Sequence, residues 1–328
     1  LRKGNEHEHA KNLPMKTRVL NADTKGIQTA ATQLRAGKLV AFPTETVYGL
    51  GANAYIDQAI SRIYEAKHRP SFNPLIVHFK NINDVKQQVV WNDWSERLAE
   101  KFWPGAVTFI LKRTENCQLS LLVSAGLDTV AVRVPSNNIA QKLIEEAKYP
   151  LAAPSANSSG KISPTTANHV EISLGGKIPY IVDGGSCTIG LESTVVDLSG
   201  KAPILLRSGG ITFDQLSKVI GPISPRNNEN IISSPGMLNR HYAPDTPIRL
   251  NATKFAKTEN VLGFGPNAPT SAFNLSSTGN LIEAAANLFS FMHELNKPGA
   301  KPIAVMPIPE MGLGLAINDR LRRATASE

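Results

Sequence analysis

Apolar positions along the chain switch repeatedly between helical and extended spacing, and the switches fall at polar turns. From Asp23 to Arg35, Ile27, Ala30, Ala31 and Leu34 recur at helical spacing, and Gly37 suits the position after that helix. Lys38–Phe42 predicts a strand, which delivers a polar turn from Pro43 to Gly51 rich in hydroxyls and glycine. Ile60, Ile63 and Tyr64 share one face of a helix opened by Asp57 as N-cap; Pro70 pushes Arg69 out of helical geometry and ends it near His68. Further strands are predicted at 73–79, 107–111, 129–134, 151–153, 178–182, 193–198 and 204–207, and helices at 83–89, 95–102, 140–147, 166–174 and 213–220. The alternation is irregular, which favours an α/β or α+β sheet over an all-parallel one.

From Gly221 to Pro247 the pattern dissolves into prolines, asparagines and serines, as in a tether or a functional lid. Beyond it, strands at 248–250, 260–264 and 303–306 and helices at 281–295 and 316–324 predict a small βα domain. The expected organisation is a flexible leader at 1–14, a first domain at 15–220, a linker or lid at 221–247 and a second domain at 248–328. The leader carries Glu6-His7-Glu8-His9 without a hydrophobic segment, so it does not read as a secretory signal; Met15 is the expected natural start.

Composition narrows the class only a little. The 328 residues, 41% hydrophobic and 19% charged, suit about two globular domains with a sizeable core. No apolar run approaches the ~20 residues needed to span a bilayer, so no membrane partner is expected. Cys117 and Cys187 form neither a disulfide framework nor a metal spacing, which fits a reducing cytoplasm. The net charge of +8 suits phosphate-bearing partners without choosing between nucleotide and nucleic acid.

Lys67 and Arg69 flank a change of backbone direction, so both can face one anion. Alone, such a pair is a solvated charge at a helix end, favoured by the helix dipole. Walker-type phosphate loops, nucleophile elbows, zinc-protease helices and cysteine pairs are all missing. Gly49-Leu50-Gly51 is a near miss to a dinucleotide fingerprint, but six residues separate it from the preceding strand. Polar stretches stand instead at strand ends: Thr44–Thr46, Ser155–Asn157, Glu192–Thr194 and Arg207–Gly209. Ligands of open α/β sheets bind in crevices beyond strand ends, and these groups suit a triphosphate and a carboxylate. Each stretch taken singly is an ordinary turn, and His78, on an apolar strand, is by itself a core histidine.

In order along the chain, Phe42–Leu50, Lys67-His68-Arg69-Pro70, Asn73-Pro74-Leu75 with His78, Phe102–Gly105, Arg133–Pro135, Ala153–Asn157, Glu192–Asp197 and Arg207–Gly209 resemble the YrdC domain, over about Met15 to Ile220. Ser234-Pro235-Gly236-Met237, His241-Tyr242-Ala243-Pro244 and Gly312–Leu321 extend the likeness to the two-domain threonylcarbamoyl-AMP synthases. The resemblance implies a twisted, mixed, open YrdC-like sheet with flanking helices, plus a small Rossmann-like α/β C-terminal domain. It also implies an L-threonylcarbamoyladenylate synthase, which joins L-threonine, bicarbonate and ATP and releases pyrophosphate. The product would pass to a threonylcarbamoyl transferase acting on tRNA.

By position, the resemblance makes Lys67, Arg69, Ser155 and Asn157 catalytic and ATP-binding, with Arg207 at the nucleotide. Thr44, His78 and Ser193 match threonine-site positions, and His241 and Tyr242 are expected to form a lid over a water-sensitive intermediate. Mg²⁺ is expected with ATP, held by phosphates and water, so no residue is assigned to a metal. A basic RNA-binding module without synthase activity is the alternative, although no arginine-rich or aromatic-interleaved stretch supports it. Carbamoyl transfer in hydrogenase maturation would need zinc-finger cysteines that this chain lacks.

Overall fold

The computed structural model describes residues 15–225 and 240–326; the leader and Ser234–Met237 lie outside them. An 11-stranded mixed sheet forms the first domain. In spatial order its strands are Arg18–Asn21, Tyr180–Asp183, Val40–Phe42, Gly49–Asn53, Leu151–Ala152, Ile76–His78, Thr129–Arg133, Val107–Lys112, Thr194–Asp197, Ile204–Arg207 and Ser224–Pro225. Parallel and antiparallel pairs are interspersed along it. Alternation sorts the side chains. Val77, Val132 and Phe109 enter the main apolar core beneath the sheet, while Ile76, Ala131 and Ile110 face the other way.

Three differences from the sequence reading matter. Gly49–Asn53 is a buried strand rather than the tail of a turn, antiparallel to Val40–Phe42 with Gly51 opposite Val40. A Cβ on Gly51 would lie 2.7 Å from the Phe42 ring, so this glycine serves sheet packing, and the dinucleotide reading falls. Asp57 is the first residue of the helix Asp57–Lys67; Ile56 is its cap and makes no side-chain bond. The strand Arg18–Asn21 carries no signal in the sequence, because it is a mostly exposed edge strand without apolar alternation.

The helix Asp57–Lys67 buries Ala59, Ile60 and Ile63, and ends where His68 turns left-handed at φ 50°. That turn throws the Lys67 and Arg69 side chains in different directions from adjacent backbone.

In the second domain, Ile248–Arg249, Ile303–Val305, Asn260–Gly263 and Phe273–Asn274 form an all-parallel sheet beside the helices Leu281–Leu295 and Leu313–Thr325. Its core continues into the first domain, since Val47, Ile162 and Leu191 pack among Leu288, Phe289 and Ile317. Each such buried side chain stabilises the docking by about 1.5–3 kcal/mol. Gly190 permits a close approach: a Cβ there would lie 2.6 Å from the Ala286 Cα.

Candidate active site

Every buried Lys, Arg, Asp and Glu among the described residues belongs to one cluster: Lys67, Arg69, Arg133, Arg207 and Arg320, with Glu45 and Glu192. Ionised groups are rarely buried without partners, because desolvation is costly. Their convergence marks the place where the fold gives up packing for chemistry.

The cluster lies over one face of the large sheet. Ile76 and His78, two residues apart, point to the same side, and their register partners Ala131 and Arg133 stand beside them. Arg133 donates through Nε to the Gly105 carbonyl at 3.0 Å, through Nη1 to Thr46 Oγ1 at 3.0 Å, and through Nη2 to Glu45. It thereby folds the Thr44–Val47 loop across the sheet face. Thr44 completes that loop by donating to the Val47 carbonyl at 2.7 Å.

On the far wall, Arg207 grips Ser193 through Nε and Nη2, at 3.0 and 2.9 Å from its carbonyl oxygen, and Ser193 Oγ lies 2.7 Å from Thr108 Oγ1. Gly209 is needed there, because a Cβ would sit 2.3 Å from the Glu192 carbonyl oxygen. Arg69 donates through Nε to the Asn73 carbonyl at 3.0 Å, and through Nη2 to Asn73 Oδ1 and the Pro74 carbonyl at 2.8 Å each. These bonds hold its guanidinium at the mouth.

Of the ten residues assigned from the sequence, Thr44, Arg69, His78, Ser155, Ser193, Arg207, His241 and Tyr242 line a single cavity of about 50 Å³. Lys67 and Asn157 stand behind its wall. The Lys67 ammonium donates to the carbonyls of Ser155, at 2.6 Å, and Asn157, while the Asn157 amide donates to the Ser158 and Lys161 carbonyls at 3.0 and 2.8 Å. Both shape the Pro154–Asn157 turn in this state.

Glu45, Thr46, Arg133, Glu192 and Arg320 were not assigned beforehand. Arg133 and Arg320 carried a legible signal. Each is a charge inside an apolar pattern, Arg133 at the end of a buried strand and Arg320 between Ile317 and Leu321 on a helix face.

His241 and Tyr242 fill most of the space over the cluster. Tyr242 is fully buried with φ 62°; its ring meets that of His241 edge-on at 4.0 Å and stacks on Phe289 at 5.5 Å. Three buried atoms at the cavity have no hydrogen-bond partner: His78 Nδ1, His241 Nδ1 and the Tyr242 hydroxyl. Such orphaned groups are costly unless something else satisfies them.

The electrostatics follow from burial among cations. Burial, reinforced by Arg133, lowers His78 to about 3. Burial, then Arg69 and Lys67, holds His241 well below the usual histidine range, so both rings are neutral near pH 7. Burial and the neighbouring Arg69 also push Lys67 well down, and burial brings Arg69 to about 10. Burial opposes ionisation of Glu45 and Glu192, but Arg133 overcomes it at Glu45, as do Arg320 and Arg207 at Glu192, and both carboxyls sit low. The site is a preformed positive hollow, suited to a polyanion.

Among the described residues no group of three or more His, Cys, Asp or Glu could hold a metal ion, and Glu45 and Glu192 are already paired with arginines. A larger groove of about 690 Å³, bordered by Lys38, Arg62 and Lys177, contains none of the buried charges.

Fold and site together define a two-domain α/β protein with a buried, arginine-lined cavity roofed by a histidine and a tyrosine. The Sua5–YciO–YrdC domain family, described as "Telomere recombination", matches residues 32–209, and the "Threonylcarbamoyl-AMP synthase, C-terminal domain" matches residues 211–326. The chain belongs to the Sua5–YciO–YrdC family, in the form that carries this C-terminal domain.

Among its relatives, the threonylcarbamoyl-AMP synthase of Pyrococcus abyssi is 42% identical, covering 91% of this chain and 94% of that protein. The threonylcarbamoyl-AMP synthase of Bacillus subtilis is also 42% identical, covering 93% and 94%. The crystal structure of P. abyssi Sua5 complexed with L-threonine superimposes with a TM-score of 0.88 at 40% identity, over 94% of this chain and 98% of that one.

Proposed function

We propose that this chain is an L-threonylcarbamoyladenylate synthase, which condenses L-threonine, bicarbonate and ATP into threonylcarbamoyl-AMP and pyrophosphate. The observation that carries the reading is that all the described buried charges gather in or behind the wall of one cavity, in a chain 42% identical to threonylcarbamoyl-AMP synthases over nearly its whole length.

The threonine amine takes up bicarbonate carbon to form a carbamate, with loss of water. A carbamate oxygen then attacks the α-phosphorus, and pyrophosphate leaves. Carbamate, carboxylate and triphosphate repel one another, so their approach requires fixed positive charge. Arg69 and Arg207 supply it at the cavity surface, in a geometry already locked by hydrogen bonds. Lys67, held on the Ser155 carbonyl, exchanges that acceptor for a phosphate oxygen when the nucleotide enters.

Thr44, His78 and Ser193 hold threonine, with neutral His78 accepting or donating one hydrogen bond without adding charge. Mg²⁺ entering with the nucleotide would be held by phosphates and water; among the described residues no group of three or more His, Cys, Asp or Glu could hold it. His241 and Tyr242 act as the lid. A cavity of about 50 Å³ admits no nucleotide, so the lid lifts for binding and returns to exclude water from the adenylate. The product passes to a transferase that modifies tRNA.

No described helix is long and apolar enough to cross a membrane. The test is pyrophosphate release measured with each substrate omitted in turn. Release that requires threonine and bicarbonate together supports the synthase; release indifferent to either, or none at all, overturns it.

A further inference from the structure

Arg320 belongs to the second domain, yet none of its side chain reaches solvent. On the helix Leu313–Thr325 it occupies the buried stripe with Ala316, Ile317, Leu321 and Ala324, where simple docking would be served by leucine or methionine. Its guanidinium crosses into the first domain instead. Nε donates to Glu192 Oε2 at 3.1 Å, Nη1 donates to the Ser208 carbonyl at 2.6 Å, and the group lies 5.5 Å from the centre of the Tyr242 ring.

Glu192 is fixed from its other oxygen by Ser163 Oγ at 2.5 Å, and it immediately precedes the Ser193 that Arg207 grips. One side chain therefore touches the lid, the carboxylate beside the Ser193 wall and the turn that follows Arg207. Burial works against its charge, but Tyr242, Glu192 and Asp319 together keep it protonated.

We propose that Arg320 is the latch of the lid, a positioning residue that holds Tyr242 closed over the cavity through its guanidinium face while its edge is anchored on Glu192 and Ser208. The consequence for the reaction rests on the synthase reading above. With the latch weakened the lid lifts early and water reaches the mixed anhydride, cleaving it to AMP and threonine carbamate, which loses carbon dioxide to give threonine. The bonds that hold Lys67 and Arg69 do not involve Arg320, so pyrophosphate release is slowed less than intact product is lost.

The test compares the full chain with Arg320→Lys, Arg320→Met and the double variant Glu192→Gln/Arg320→Met, which leaves no buried carboxylate unpaired. The first readout is amide hydrogen exchange at His241 and Ala243, whose N–H groups bond to the Arg323 and Gly160 carbonyls. The second is the ratio of intact threonylcarbamoyl-AMP to pyrophosphate released.

Loss of a desolvated cation–π contact is expected to speed exchange at these two amides on the order of ten-fold, with the strands Val40–Phe42 and Thr194–Asp197 unchanged. The product ratio falls several-fold, and the lysine variant lies between. Exchange and ratio equal to wild type in the double variant overturn the latch, and so does uniform acceleration across all strands. If wild type itself fails to couple pyrophosphate release to threonine and bicarbonate, the synthase reading fails, while exchange at His241 and Ala243 still decides the latch.

Discussion

The Lys67 ammonium lies 2.6 Å from the carbonyl oxygen of Ser155, 88 residues further along the chain, and ties a helix end to the turn that walls the cavity. Removing it takes the ammonium from the Ser155 and Asn157 carbonyls and from beside the arginine-lined cavity. Lys67→Ala is expected to lower turnover by roughly 10²–10³, as for loss of one oxyanion donor, with about 1–3 kcal/mol of stability lost. A pyrophosphate-release rate equal to wild type would contradict this.

Arg69 places three hydrogen bonds on the Asn73–Pro74 segment from two guanidinium nitrogens. Lysine cannot reproduce that fork from a single ammonium. Arg69→Lys should retain the fold and lose at least about ten-fold in kcat/KM, by the value of an oriented charged contact. Steady-state kinetics with ATP varied provides the check, and an unchanged kcat/KM would remove Arg69 from the site.

Tyr242 carries a buried hydroxyl without a partner, so Tyr242→Phe should leave thermal stability equal or slightly raised. Tyr242→Ala, which empties the space beside Phe289 and Arg320, should cost about 3–5 kcal/mol. Calorimetry on both variants separates hydroxyl from ring. A marked loss of stability in the phenylalanine variant would mean that the hydroxyl is satisfied in the folded protein.

Gly190 combines φ +73° with an approach of 2.6 Å to Ala286, so alanine there is strained and also clashes with the backbone of the Leu281–Leu295 helix. Gly190→Ala is expected to loosen the docking of the two domains and lower the melting temperature by several degrees, for about 1–3 kcal/mol of destabilisation. A melting temperature within one degree of wild type would show that the interface yields freely.

Acid should destabilise the protein well above the carboxylate range. His78 and His169 have folded pKa values of about 3 and about 4, lowered chiefly by burial from 6.5. Between pH 6.5 and those values the unfolded chain binds protons that the folded chain refuses, so stability falls as pH drops through this window. His169 stacks on His293 at 3.9 Å across the domain boundary, with Glu294 nearby as the compensating charge. Urea midpoints measured from pH 7 to pH 4.5 should decline, and His169→Gln should flatten the slope. A flat profile in wild type would mean that these rings are protonated in the fold.

The helices 213–220 and 281–295 were legible to the residue, because sustained 3.6-residue periodicity and capping residues are local signals. Short strands were harder. Gly49–Asn53 has no alternation to read, since glycine packs against Phe42 through the absence of a side chain. The four strand-end stretches do supply the cavity lining, through Thr44, Thr46, Ser155, Glu192, Ser193 and Arg207, but the cavity also takes in Ile76 on the sheet face, which no local signal marks. Only the register of His78 with Arg133 places those two side chains together, and register is a property of pairing partners far apart in the chain.

By itself the sequence determined which residues carry charge, roughly where most helices lie, and that Lys67 and Arg69 flank a broken helix end, from which both were expected to face one anion. Those are local matters, settled by side-chain chemistry and the backbone limits of proline and of neighbouring residues. Tertiary structure alone decided that Lys67 faces carbonyls rather than the cavity, that Arg133 and Glu45 neutralise each other beneath the loop, and that Arg320 crosses a domain boundary to meet Tyr242. A buried charge must find its partner in space, and partners such as Glu192 and Arg320, 128 residues apart, are brought together only by the packing of whole domains.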